Sequence, residues 1–105
     1  MQDTNGILQL IKTSVEETSP GATLILYGSY ARGDNREDSD LDILVLLDKD
    51  KITYDDRKRI AYPLYHIGLE SDIHISPVFR ARNLWETRHQ ITPFYKNVSR
   101  EGVLL

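Results

Sequence analysis

Two apolar runs, Thr23-Leu24-Ile25-Leu26-Tyr27 and Ile43-Leu44-Val45-Leu46-Leu47, dominate the first half of the chain. Each has the length and composition of a buried strand. The polar residues at their ends restrict the fold further. Gly28-Ser29 closes the first run, a ten-residue spacer follows, and Asp40-Leu41-Asp42 opens the second. Side chains alternate along a strand, so Asp40 and Asp42 share one face while Leu41 and Ile43 share the other. Two carboxylates one strand step apart repel each other. A divalent cation removes that repulsion, and Mg²⁺ is commonly held by one or two carboxylates together with substrate phosphates.

The Gly-Ser pair supplies the complementary half. Gly28 has no Cβ, so the backbone can pass close to a ligand. A turn that leads straight into a helix presents free N–H groups to an anion, and the Ser29 hydroxyl adds one more hydrogen bond. Strand, Gly-Ser, short helix, loop and a strand carrying Asp-x-Asp together form a cradle for a nucleoside triphosphate and its metal. Structural readings of the parts exist. Gly28-Ser29 alone is also a plain strand-to-helix turn, and Asp34-Asn35-Arg36-Glu37-Asp38-Ser39-Asp40 is also a solvated loop. Asp42 resists them, because it lies in an apolar run where Asp is disfavoured.

Gly28-Ser29, the spacer and Asp40-Leu41-Asp42 resemble the nucleotidyltransferase (DNA polymerase β-like) superfamily. The longer string Gly28-Ser29-Tyr30-Ala31-Arg32-Gly33, followed by Ser39-Asp40-Leu41-Asp42, resembles its minimal nucleotidyltransferase branch. Many members of that branch are partners of HEPN-domain proteins in toxin–antitoxin pairs. The resemblance implies a small α/β (α+β) nucleotidyltransferase domain with a short mixed sheet flanked by helices. It also implies a bound triphosphate, ATP by preference, and Mg²⁺ or Mn²⁺ as cofactor.

Length and composition bound the rest. At 105 residues the chain is expected to form one domain, 1–105. Its 40% hydrophobic and 28% charged content is that of an ordinary globular protein. No apolar run approaches the roughly 20 residues of a membrane span, and Met1-Gln2-Asp3-Thr4-Asn5-Gly6 lacks the segments of a signal peptide. A cytoplasmic protein without a membrane partner is expected. There is no cysteine, which excludes disulfides and thiolate metal sites. The net charge of −3 argues against general nucleic-acid binding.

Along the chain, Ile7, Leu8, Leu10, Ile11 and Val15 recur at helical spacing and predict a helix near 4–18, stopped by Ser19-Pro20-Gly21. Strands are predicted at 23–28 and 40–47, with a short helix starting at Ser29. Thr53 followed by Asp55 and Asp56 resembles a helix start, and a helix is predicted over 54–67. Pro63 is expected to kink or break it, and Gly68 to end it. A third strand is predicted at 70–79, where Glu70, Asp72, His74 and Ser76 alternate with Leu69, Ser71, Ile73 and Ile75. Pro77 points to an edge position. The tail, with Trp85, Phe94 and Tyr95, reads as short helical pieces whose aromatics close the core or form an interface. Tyr30 is the better candidate for stacking on a base.

The resemblance also implies a third carboxylate from a neighbouring strand, completing a triad for two metal ions. Asp72 and Glu70 are the candidates, and Asp72 is favoured for its short side chain. His74 is a surface residue or helps to orient an acceptor. Arg32 and Arg36 either neutralise charge on the transferred group or, for Arg32, pair with an acid of the loop 34–40. The expected reaction is transfer of a nucleoside monophosphate to an acceptor hydroxyl, with Asp40, Asp42 and Asp72 as the catalytic metal ligands and Gly28, Ser29 and Arg32 at the nucleotide. The alternative is a non-catalytic nucleotide-binding antitoxin that binds and silences a HEPN-like partner.

Overall fold

A computed structural model describes residues 4–87 and 89–105. Its elements, in chain order, are α1 (Thr4–Thr18), β1 (Thr23–Tyr27), α2 (Ser29–Arg32), β2 (Leu41–Leu47), α3 (Tyr54–Ser71), β3 (Ile75–Ala81), α4 (Arg82–Thr87), a 3₁₀ turn (His89–Ile91), α5 (Pro93–Glu101) and β4 (Val103–Leu104). The sheet order is β3-β2-β1-β4. β1 runs antiparallel to β2 and β4, while β2 and β3 are parallel. A parallel pair needs a long crossover, and α3 provides it. The result is a small α+β domain built on a mixed sheet.

Strand alternation sorts the core into two layers. Leu24, Leu26, Leu41, Ile43, Val45, Leu47, Ile75 and Phe79 point to the face covered by α1 and α3, where they meet Ile7, Ile11, Val15, Ile60 and Leu64. Leu44 and Leu46 point the other way, into a smaller cluster with Trp85 and Val98, flanked by Ile25, Tyr27, Val78, Phe94 and Tyr95. Both faces of β2 are thus covered. Its apolar residues are almost fully buried, each such side chain contributing about 1.5–3 kcal/mol relative to exposure. Trp85 packs its ring against Phe94 and Tyr95, so the tail aromatics do close a core. Tyr30 is half-buried and packs against the larger cluster.

The third strand departs from its expected position. α3 continues through Pro63 and Gly68 to Ser71, and β3 starts only at Ile75. Gly68 is buried inside the helix, and a Cβ there would collide with the Ile73 carbonyl. Close packing, not helix termination, explains that glycine. The helix ends at Asp72, whose left-handed backbone (φ 56, ψ 41) sends its N–H back to Gly68 and Leu69 carbonyls. The alternation read over 69–76 therefore crosses a helix end, a turn and only the first residues of a strand. Pro77 does lie on an edge strand.

Thr53 caps α3 as expected. Its hydroxyl accepts the Asp56 N–H at 3.1 Å, and the Asp56 carboxylate accepts the Thr53 N–H at 3.0 Å. Asp56 is buried and also receives Lys49 Nζ at 2.7 Å and Arg59 Nη2 at 3.2 Å. Those donors, Lys49 first, hold its carboxyl well below the usual carboxylate range. Among the described residues no helix is long and apolar enough to cross a membrane.

Candidate active site

Gly28 is the hinge on which the site is built. It stands between β1 and α2 with φ 77 and ψ −156, a conformation that strains any residue with a Cβ. There is also no space for one, since a Cβ at this position would overlap the Asp42 carboxylate. Gly28 therefore lets the start of α2 and the acidic strand β2 meet at one point. The four-residue helix that follows is closed by Gly33, also left-handed, whose N–H donates to the Ser29 carbonyl.

Asp42 lies in β2 opposite Tyr27 of β1 and Ser76 of β3. It shares the sheet face of Leu44 and Leu46 and lies at the open end of that layer. Its carboxyl is pushed above the usual carboxylate range, first by burial and then by the neighbouring Asp40; Arg32 and His74 oppose the shift, and Glu101 adds to it. Asp40 stands one residue before β2. Its Oδ1 lies 3.1 Å from His74 Nδ1. The pairing follows from the sheet, because the Leu41 N–H donates to the His74 carbonyl at 2.9 Å as β2 and β3 begin. Tyr27 feels the same environment: burial and Asp42 push its hydroxyl up to about 12.

Arg32, on the last turn of α2, donates from Nε to Asp34 at 3.1 Å and from Nη1 to both oxygens of Glu101 at 3.2 Å. The ion pair with the 34–40 loop is thus present, together with a second acid that the sequence pattern did not single out. Glu101 also accepts the Gly28 N–H at 3.2 Å, across 73 positions. A signal for it was available. Thr92-Pro93 is an N-cap followed by proline at the first helical position, and Gly102 closes the helix, so a helix ending at Glu101 was readable. Its destination on the sheet was not. Arg36 lies in the exposed loop, where its N–H donates to the Ser39 hydroxyl at 2.7 Å.

Gly28, Ser29, Arg32, Asp40 and Asp42 therefore converge at one end of the sheet. Asp72 does not join them. It caps α3, outside β3, and lines a groove of about 490 Å³ with Tyr65, Gly68, Leu69, Ile73, His74 and Ile75. Glu70 is exposed on α3. Beside the acidic pair stand His74, the residue just before β3, and Ser76 of β3. Among the described residues no group of three or more His, Asp or Glu side chains is placed to hold a metal ion.

The profile of the family described as "Nucleotidyltransferase domain" matches residues 8–102. The chain belongs to the nucleotidyltransferase domain family. Two proteins of Methanocaldococcus jannaschii are similar to it. One, named "Putative protein adenylyltransferase MJ0141", is 39% identical over 61 residues, 58% of this chain and 61% of that protein. The other, "Putative protein adenylyltransferase MJ0604", is 33% identical over 82 residues, 78% of this chain and 75% of that protein. The match thus spans less than two thirds of the first relative. A crystal structure of a toxin–antitoxin with AMP-PNP has the same fold, with a TM-score of 0.65 at 21% identity, covering 91% of this chain and 69% of that one. A mutant of the toxin–antitoxin MntA-HpeT gives a TM-score of 0.60 at 18% identity, covering 98% and 71%. These neighbours support the small nucleotidyltransferase fold expected from the Gly-Ser and Asp-x-Asp pattern.

Proposed function

We propose that this domain transfers a nucleoside monophosphate, by preference AMP from ATP, to an acceptor hydroxyl on a partner protein. The observation that carries this reading is the meeting of Asp40, Asp42 and the Cβ-less Gly28 at one point. Asp42 is held ionised only against burial and the charge of Asp40, and a bound cation offsets both. The donor set of carboxylate oxygens suits a hard divalent ion, so Asp40 and Asp42 would hold Mg²⁺ or Mn²⁺. Bound there, that ion supplies charge neutralisation for the triphosphate.

This chain's own residues do the rest. Ser29, the backbone beside it and Arg32 hold the phosphates, and Gly28 keeps the main chain close enough for them to reach. The acceptor oxygen attacks the α-phosphorus, the bond to the bridging oxygen breaks, and pyrophosphate leaves while the hydroxyl proton passes to water. Such transfer is mostly positioning and charge neutralisation, so a few residues suffice. The relatives named protein adenylyltransferases support a protein hydroxyl as acceptor. The fold shared with toxin–antitoxin proteins supports a partner protein as its bearer, and the resemblance carried by Gly28-Ser29 and Asp40-Leu41-Asp42 makes a HEPN-like protein our choice. The test is calorimetry of ATP binding with Mg²⁺ and with EDTA, followed by transfer from α-labelled ATP to that partner. Equal affinity in EDTA would refute the metal-bridged site.

A second reading has its own support. Asp72 caps a helix instead of standing on β3, and the strand residue opposite Asp42 is Ser76. A cradle with two carboxylates suits a module that binds nucleotide and silences its partner without turnover. The transfer assay separates the two.

A further inference from the structure

Among the described residues, Glu101 is the one acid at the site that comes from outside the β1–α2–β2 unit and its β3 neighbour. Its side chain is mostly covered, and its carboxylate takes three hydrogen bonds, one from the Gly28 N–H and two from Arg32 Nη1. A main-chain N–H and a guanidinium aimed at the same pair of oxygens make a docking site for an oxyanion. Carboxylate and phosphate compete for such donors on equal terms of geometry. Resting on the nucleotidyltransferase reading above, we propose that Glu101 is a built-in stand-in for phosphate, which occupies the Gly28–Arg32 donors in the free protein and is displaced when a triphosphate binds.

The scaffold around Glu101 fits that role. α5 is locked against β1 at the following residue: the Gly102 N–H donates to the Val98 carbonyl at 2.7 Å, and a Cβ on Gly102 would overlap both that carbonyl and Ile25. β4 then pairs Leu104 with Ile25 and Val103 with Leu26. The backbone of Glu101 is therefore fixed, while its long side chain can leave the donors by rotation alone. An incoming phosphate takes the same N–H and guanidinium, and its charge repels the carboxylate. In the free protein the contact keeps Arg32 ordered and makes weak anions poor ligands.

The experiment is calorimetry of Mg²⁺–AMP-PNP binding to the wild type, Glu101→Gln and Glu101→Ala, with melting temperatures measured beside it. Removing an internal competitor of a partly exposed ion pair should tighten binding roughly three- to fivefold in Glu101→Ala and by less in Glu101→Gln, which keeps an acceptor for the Gly28 N–H. Nuclear magnetic resonance of the wild type adds a readout independent of the variants: the Gly28 amide and the Glu101 Cδ resonance should shift together as nucleotide is added. Equal affinities, or weaker binding by a variant that melts like the wild type, overturn the proposal while leaving nucleotide binding intact. A Glu101 resonance unmoved at saturation also overturns it. If neither wild type nor variants bind Mg²⁺–AMP-PNP, the nucleotide reading falls and this proposal with it.

Discussion

Replacing Asp42 by Asn should leave the free domain equally or more stable while abolishing metal-dependent nucleotide binding. Asp42 is half-buried, and its carboxyl is pushed up by burial and by Asp40. The unfolded chain ionises near the ordinary carboxylate value, and the folded chain only at higher pH. Between those two values the unfolded state loses its proton first, so stability falls as pH rises, and the full penalty persists above the folded value. Asn removes that penalty and keeps the shape. Because the site is partly open, the repulsion is screened, and a gain of about 0.5 kcal/mol is the right scale. For a domain of this size that is roughly 2–4 °C in Tm. The assay is thermal denaturation in EDTA from pH 3.5 to 8. The variant should match the wild type at the acid end and pull ahead as Asp42 ionises. Acid loss of the Asp56 ion pairs affects both proteins alike and cancels in the difference. A variant melting several degrees below the wild type at neutral pH would make Asp42 a structural residue and not a repelled site carboxylate.

Further outcomes follow from neighbouring geometry. Gly28→Ala should lower stability by about 1–2 kcal/mol through its positive φ and should weaken triphosphate binding, because the added methyl overlaps the Asp42 carboxylate; urea melts and calorimetry check both. Asp56→Ala should cost about 2 kcal/mol by removing a cap and buried charge-assisted hydrogen bonds, measured by urea denaturation at pH 7. Since the Asp56 carboxyl is held low, its contribution is present at neutral pH and is lost on acidification below the ordinary carboxylate range. Asp72→Asn should leave melting temperature and nucleotide affinity unchanged, because Asn tolerates the left-handed cap conformation.

What could be read from residues alone was local. The helix over 4–18, the strands ending at Tyr27 and Leu47 and the capped start of α3 each carry their signal within a few positions, through periodicity, turn residues or a cap. Asp40, Asp42 and Gly28 were legible for the same reason, since one turn and one strand bring them together. The third strand was not. Gly68 and Pro63 look like helix breakers, yet α3 absorbs both, because packing of Gly68 under the Ile73 carbonyl outweighs its weak helix propensity. The register that sets His74 and Ser76, rather than Asp72, beside the acidic pair follows from that extended helix. The role of Glu101 was not legible for a different reason: a helix ending there could be read, but where α5 lands across the sheet is encoded by no local pattern.

We propose that Asp40 and Asp42 hold a cation for nucleotide transfer to a protein hydroxyl. The most direct measurement is autoradiography of α-labelled ATP with Mg²⁺ and a HEPN-domain protein offered as acceptor, comparing wild type, Asp42→Asn and an EDTA control. Label is expected on the partner with the wild type and none in the other two lanes. Binding and silencing of the partner without label, or label undiminished by Asp42→Asn, would contradict it.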